Sequence, residues 1–298
     1  MTQPRIPILI DTDIGDDIDD ALAIALAVNS PEVELRAVTT VFGPVAIRTK
    51  LALKLLATYG CSEIPVGTGR GTPLFGPEPK IMPNQAVVLQ EGERLPEPSP
   101  LAADELILRT ASDLGGRLTI ITIGGMTNMA VALLRDPSLA SRARLVVMGG
   151  VVGTPMAEWN IVCDPEAARI CFQSGIPLTM VGLDVTTQCQ MSREDVAAVG
   201  RRATPATALL KRMIDAWAGP GDPATRRTPV LHDPLAVAVS FRPELCMRQP
   251  RRVVVETRGE FTRAFTLASQ TEPTNADVCL GVDAPGFLRL FMERILSR

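Results

Sequence analysis

Short apolar runs alternate with helix-forming segments along almost the whole of this 298-residue chain, and no other feature restricts its fold as strongly. Candidate strands fall at 6–11, 33–40, 118–123, 144–149, 178–183 and 252–256. Between them, 19–29, 45–59, 102–114, 128–134 and 165–174 carry helical periodicity or good helix formers. The strands are near-continuous runs of Val, Ile and Leu, which suits strands covered on both faces. The pattern predicts an open, mostly parallel α/β sheet with helices on both sides, in a single domain over 1–298. Two stretches rich in Pro and Gly, 71–100 and 218–229, interrupt it. Strands and helices continue beyond each of them, so they are expected to be loops over one active face. Ligand sites in such sheets lie at the carboxyl ends of the strands.

One strand end stands out. Directly after the apolar run IPILI the chain reads DTDIGDDIDD, six aspartates in the ten residues from Asp11 to Asp20. Two carboxylates about 4 Å apart repel by roughly 4 kcal/mol at an effective dielectric near 20. Protonation, solvent, a helix N-terminus or a bound cation must offset that. Asp16 and Asp17 precede the helical run DDALAIALAV, and Asp19 and Asp20 fall in or near its first turn, at the positive end of the helix dipole. N-capping and dipole compensation account for one or two aspartates, not six. Oxygen-only ligands suggest a hard cation, Ca²⁺ or Mg²⁺.

Composition narrows the function classes. A net charge of −3 favours neither nucleic acid nor an anionic membrane surface. The longest apolar stretches, such as ALAIALAV at 21–28, are too short to span a bilayer. The first residues, MTQPRIPILIDTD, lack a signal-peptide pattern. The six cysteines have apolar neighbours and no CxxC spacing, as expected of reduced core thiols in a cytoplasmic protein. His232 is the only histidine, which argues against zinc.

Three further motifs carry chemistry. ITIGGMTN at 121–128 ends a candidate strand; its glycines allow close backbone approach and its carbonyls suit a cation shell. LVVMGG at 145–150 is followed by AEWNIVCDPEAA at 157–168. There Asp164 and Pro165 read as a helix N-cap and first helical residue. Glu158, Trp159 and Asn160 instead pair polar groups with an aromatic face, as sugar and base recognition require. LHDPLAVAVS at 231–240 sets His232 beside Asp233. Asp233 reads as an N-cap or as a functional carboxylate, and His232 as a proton-transfer group.

In this order, DTD-x-G with DDALA, TIGGMTN, VMGG, AEWNIVCDPEAA, MVGLDVT and HDP resemble the nucleoside hydrolase family over nearly the whole chain. The resemblance implies that family's open, mostly parallel α/β sheet and Ca²⁺-dependent hydrolysis of ribonucleosides to base and ribose. By position, Asp13 matches the general base, which also binds the ion. Asp20, Asp233 and the backbone carbonyl of Ile123 match further ligands. Asp19, Met148, Glu158 and Asn160 match ribose contacts. His232 matches a histidine near the leaving base, on which Trp159 is expected to stack. Asp11 is expected to orient the first loop, and Asp17 and Asn128 are additional site candidates. The family's chains are usually homodimers or homotetramers. The loop here is two residues longer than the commoner DTDPG-x-DDA form, and the segment between Met148 and Glu158 is shorter than in many members. Tyr59 is the only tyrosine, so paired tyrosines near the base are absent.

Rival readings carry less of the chain. A haloacid-dehalogenase-type Mg²⁺ phosphatase expects Thr or Val where Gly15 stands. A dinucleotide-binding fold expects GxGxxG, which is missing. A ribonucleoside-binding protein without turnover would keep the pocket but has no need of Asp13, Asp20, Asp233 and His232 together.

Overall fold

In the computed structural model, which describes residues 4–77, 79–222 and 225–297, nine strands form one sheet. They are β1 (Ile6–Thr12), β2 (Val33–Thr40), β3 (Val66–Thr68), β4 (Leu118–Thr122), β5 (Ala143–Met148), β6 (Leu178–Val181), β7 (Cys246–Val255), β8 (Thr266–Ser269) and β9 (Ala276–Val282). Their spatial order is β3-β2-β1-β4-β5-β6-β9-β7-β8. From β3 to β9 neighbouring strands are parallel; β7 runs antiparallel to both β9 and β8. The strand order reverses at β1, which pairs with β2 on one side and β4 on the other.

The helices are α1 (Asp19–Asn29), α2 (Val45–Thr58), α3 (Ala103–Leu114), α4 (Thr127–Arg135), α5 (Trp159–Cys163), α6 (Pro165–Gln173), α7 (Leu183–Thr186), α8 (Arg193–Arg202), α9 (Pro205–Ala218), α10 (His232–Phe241) and α11 (Ala284–Ile295). Strand alternation divides the core between the two faces. Ile8 and Ile10 of β1, Ile121 of β4, and Val146 and Met148 of β5 join α1, α2, α9, α10 and α11 in one cluster. Leu9, Ile120, Leu145 and Val147 point the other way and pack with α3, α4 and α6. Helix α1 is buried nearly all round because it packs on β2 and on both α10 and α11. A helix in that position needs apolar residues on every side, which ALAIALAV supplies.

The expected strands and helices are present, with ends shifted by a residue or two except at β7, which begins at Cys246. Three strands escaped the sequence pattern: β3, β8 and β9. β9 is central, yet Asp277 and Gly281 interrupt its apolar run. Residue 78 of the first long loop and 223–224 of the second lie outside the described residues. The first loop contains a 3-10 turn over Asn84–Val88. All six cysteines are free, five of them buried. Among the described residues no helix is long and apolar enough to cross a membrane.

Candidate active site

The carboxyl ends of β1, β4 and β5 open into a cavity of about 370 Å³. Asp13 follows β1, Ile123 follows β4 and Met148 ends β5. Helix α1 brings Asp19 and Asp20, α10 brings His232 and Asp233, and the start of α5 brings Trp159 and Asn160. Asp17 and Glu158 also line the cavity. The structure thus brings together every expected site residue except Asp11 and Asn128.

Those two lie beneath it. Asp11 Oδ1 accepts from Thr39 Oγ1 at 2.6 Å and from Asn128 Nδ2 at 2.8 Å. Asn128 also donates to the Thr40 carbonyl at 2.9 Å and accepts from the Arg70 amide at 2.9 Å. Asp11 therefore ties β1 to β2 and α4. Burial pushes its pKa up to about 7, against the hydrogen bonds from Thr39 and Asn128.

Asp19, Asp20 and Asp233 are buried and place carboxylate oxygens within 4.8 Å of one another, the one such acidic cluster among the described residues. None of them caps a helix. The residue before α1 is Ile18, without a side-chain cap bond, and Asp233 lies inside α10, which replaces its N-cap reading. Asp19 Oδ2 accepts from the Asp233 amide at 3.2 Å, and Asp20 Oδ1 accepts from Thr12 Oγ1. Burial first, then the neighbouring carboxylates, push all three pKa values well above the ordinary range. Burial also raises Asp13, to about 6, while the nearby Arg48 guanidinium pulls it down. A divalent cation would relieve this crowding, and oxygen-only donors suit a hard one. The IGG motif makes room for the Asp13 side chain and main chain: a Cβ on Gly124 would stand 2.7 Å from Asp13 Oδ1 and 3.0 Å from the Asp13 amide nitrogen.

On the far wall, Glu158 serves as the N-cap of α5. Its Oε1 accepts from the Asn160 amide at 2.9 Å, and its Oε2 from Gly150 at 2.8 Å and Ile161 at 3.2 Å. Burial raises its pKa to about 7 in spite of these bonds. Asn160 Nδ2 donates to the Met148 carbonyl at 3.2 Å. Trp159 is 57% exposed at the rim, edge-on to Phe42 with ring centroids 6.3 Å apart. His232 Nδ1 stands 2.7 Å from Thr186 Oγ1, and burial lowers its pKa. Asp164 caps α6 as expected and also accepts from Thr127 Oγ1 and the Leu74 amide, both at 2.7 Å.

Neither long loop places a described side chain on the cavity wall. The first one instead grips the aspartate loop from outside. Asn84 Nδ2 donates to the Asp16 carbonyl at 2.8 Å, Gln85 Nε2 to the Asp17 carbonyl at 2.5 Å, and the Gln85 amide to the Gly15 carbonyl at 3.1 Å. From inside, Arg48 donates to the carbonyls of Asp13, Ile14 and Phe42 and to the Asp16 carboxylate. Sequence reasoning missed Arg48, Thr186, Asn84 and Gln85. Arg48 alone left a signal: it shares helical spacing with the buried Leu51, Ala52 and Leu55, so a charge sits on the core face of α2.

A doubly covered, mostly parallel sheet with clustered carboxylates at its strand ends places this site where open α/β enzymes bind their ligands. Residues 8–289 match the family model described as inosine-uridine preferring nucleoside hydrolase, and the chain belongs to that family. It is 36% identical to the pyrimidine-specific ribonucleoside hydrolase RihA of Escherichia coli, over 97% of this chain and 98% of that one. Among solved structures, the plant nucleoside hydrolase PpNRh1 superposes with a TM-score of 0.88 at 27% identity, covering 99% of this chain and 100% of that one. A purine-preferring ribonucleoside hydrolase from Gardnerella vaginalis superposes with a TM-score of 0.86 at 30% identity, covering 98% of each chain. The protein is accordingly an enzyme that cleaves the N-glycosidic bond of ribonucleosides.

Proposed function

We propose that hydrolysis takes place at the Asp13–Asp20 loop, with Asp13 as the general base and Ca²⁺ as the resident cation. The observation that carries this reading is the cluster of Asp19, Asp20 and Asp233, buried oxygens gathered within 4.8 Å. Asp13, Asp20, Asp233 and the Ile123 carbonyl would hold the ion. When bound, a divalent cation supplies positive charge that binds ribose hydroxyls and makes a neighbouring water more acidic.

The remaining work falls to the chain. Asp13 takes a proton from the attacking water, which adds to C1′ as the glycosidic bond breaks. The sugar passes through an oxocarbenium-like state, and the surrounding carboxylates favour its growing positive charge. Asp19 accepts from a ribose hydroxyl through the oxygen not used by the Asp233 amide. Asn160 and Met148 flank the sugar, and Glu158 contributes through the acceptor capacity left by its three backbone bonds. With Thr186 donating to Nδ1, the His232 Nε2 carries the proton and donates it to the departing base. Trp159 offers its exposed face for stacking. The named relatives differ in base preference, one pyrimidine-specific and one purine-preferring, so both classes belong in the test.

A reducing-sugar assay over uridine, cytidine, inosine and adenosine tests the reading. Ribose is released from at least one of them, lost after EDTA treatment and restored by Ca²⁺. Asp13→Ala lowers kcat by about 10²- to 10⁴-fold. Ca²⁺-dependent nucleoside binding with no ribose release from any of the four would replace the hydrolase by a ribonucleoside-binding protein.

A further inference from the structure

Arg48 has no exposed surface. Its Nε donates to the Phe42 carbonyl at 2.6 Å, its Nη1 to the carbonyls of Asp13 and, at 3.0 Å, Ile14, and its Nη2 to Asp16 Oδ2 at 2.6 Å. One planar side chain thus spans the loop after β1 and the turn after β2. A fully buried guanidinium is costly unless paired and bonded throughout, so it is an expensive choice for a simple staple. A neutral amide could make two of these bonds, but it lacks both the fork geometry and the charge.

Two features make Arg48 more than packing. The carbonyl it holds belongs to Asp13 itself, one bond along the main chain from the carbon bearing that side chain. Its charge enters the same loop through Nη2, which donates to the Asp16 carboxylate at 2.6 Å. Its anchor, Asp16, lies in the loop between Asp13 and Asp19, and the Asp16 carbonyl is held from outside by Asn84. Asp16, which no metal or ribose role explains, acquires a function here.

We propose that Arg48, anchored by Asp16, is a positioning residue that sets where the Asp13 carboxylate stands against Asp20 across the cavity. The inference rests on the reading of Asp13 as general base. A base held out of line costs rate in the chemical step and leaves substrate binding largely intact. Lysine at position 48 keeps the charge but cannot span three carbonyls and a carboxylate.

The test compares Arg48→Lys, Asp16→Asn, the double variant and Asp13→Ala as Ca²⁺-loaded full-length enzymes. Steady-state kinetics are read beside thermal melting and calorimetric Ca²⁺ titration of the stripped proteins. Arg48→Lys is expected to lower kcat by about 100-fold with KM within roughly threefold, and to weaken Ca²⁺ binding severalfold. Asp16→Asn lowers kcat about 10-fold with the fold intact, and the double variant loses little more than Arg48→Lys alone. If Arg48→Lys does not fold, Asp16→Asn decides, because Asp16 is half-buried and the amide oxygen that replaces its carboxylate still accepts from Arg48, while thermal melting reads the cost of the lost counter-charge. Single variants that keep kcat within threefold while Asp13→Ala is inactive overturn the inference and leave the base assignment standing. A kcat loss that disappears on cooling well below the melting point also overturns it. An active Asp13→Ala variant sinks both.

Discussion

At position 124 a single added methyl group would stand 2.7 Å from Asp13 Oδ1. No hydrogen-bonding distance is open to a carbon there, so either the carboxylate or the β4–α4 turn must move. Gly124→Ala is therefore expected to cut kcat by roughly 100-fold and, because the Cβ also crowds the Asp13 amide nitrogen at 3.0 Å, to lower the melting temperature as well. Ribose release and a thermal melt on the same preparation check this. Gly15 shows the same constraint on the outer side of the loop: its φ is +128° and a Cβ would meet Pro83 Cβ at 2.7 Å. Gly124 was legible in the sequence as a point of close backbone approach, but what it makes room for was not. A Gly-Gly pair after a strand says only that backbone comes close to something. The carboxylates were legible for a different reason: six in ten residues cannot share a strand end without compensation. Their individual partners were hidden, since Asp16 pairs with a residue 32 positions away.

At the level of elements, Asp164 joins three segments. It caps α6 through the Ala167 amide at 3.0 Å, holds Thr127 at the start of α4, and fixes the Leu74 amide in the first long loop. The N-cap role was visible in the DPEAA pattern; the other two bonds span 37 and 90 residues and have no local signature. Asp164→Ala is expected to destabilise the fold by about 1–3 kcal/mol, since it removes a cap and leaves two further donors unpaired. A urea midpoint shifted downward with an unchanged slope is the expected result, and a shift below about 0.5 kcal/mol would show that the loop bond contributes nothing. The strands follow similar logic. β1, β4, β5 and β6 were readable because burial on both faces demands continuous apolar residues, and β2 because Val33, Leu35 and Ala37 alternate with Glu34 and Arg36. β3 has three residues, and β8 is a four-residue edge strand, so neither presents enough pattern to read. In β7 the polar stretch Arg248–Arg252, with Pro250 inside it, masks strand pairing that Cys246–Val255 nonetheless makes.

Across the whole molecule, the buried acids give stability a definite pH dependence. Their folded pKa values are raised, so each contributes stability while protonated, fully so below its unfolded value, and loses it as pH rises through the folded one. The ordinary values are 3.8 for Asp and 4.5 for Glu, whereas Asp13 is raised to about 6 and Asp11 and Glu158 to about 7. Without divalent cations the melting temperature is therefore expected to fall between about pH 4 and 7. If Ca²⁺ is the resident cation as proposed, it raises the melting temperature more at pH 8 than at pH 5, because a cation favours the ionised form of the cluster. Calorimetric melts in EDTA and in Ca²⁺ at both pH values measure this; a melting temperature that climbs with pH in EDTA would contradict the electrostatic account. The grip on the aspartate loop, with Arg48 inside and Asn84 and Gln85 outside, also bears on descent. Shortening that loop by two residues would leave a guanidinium in the core without its counter-charge and a turn with no carbonyls to bind. Loop length, arginine and turn should then pass through the lineage as one inherited unit, so a relative with the short loop that retains Arg48 would break the rule.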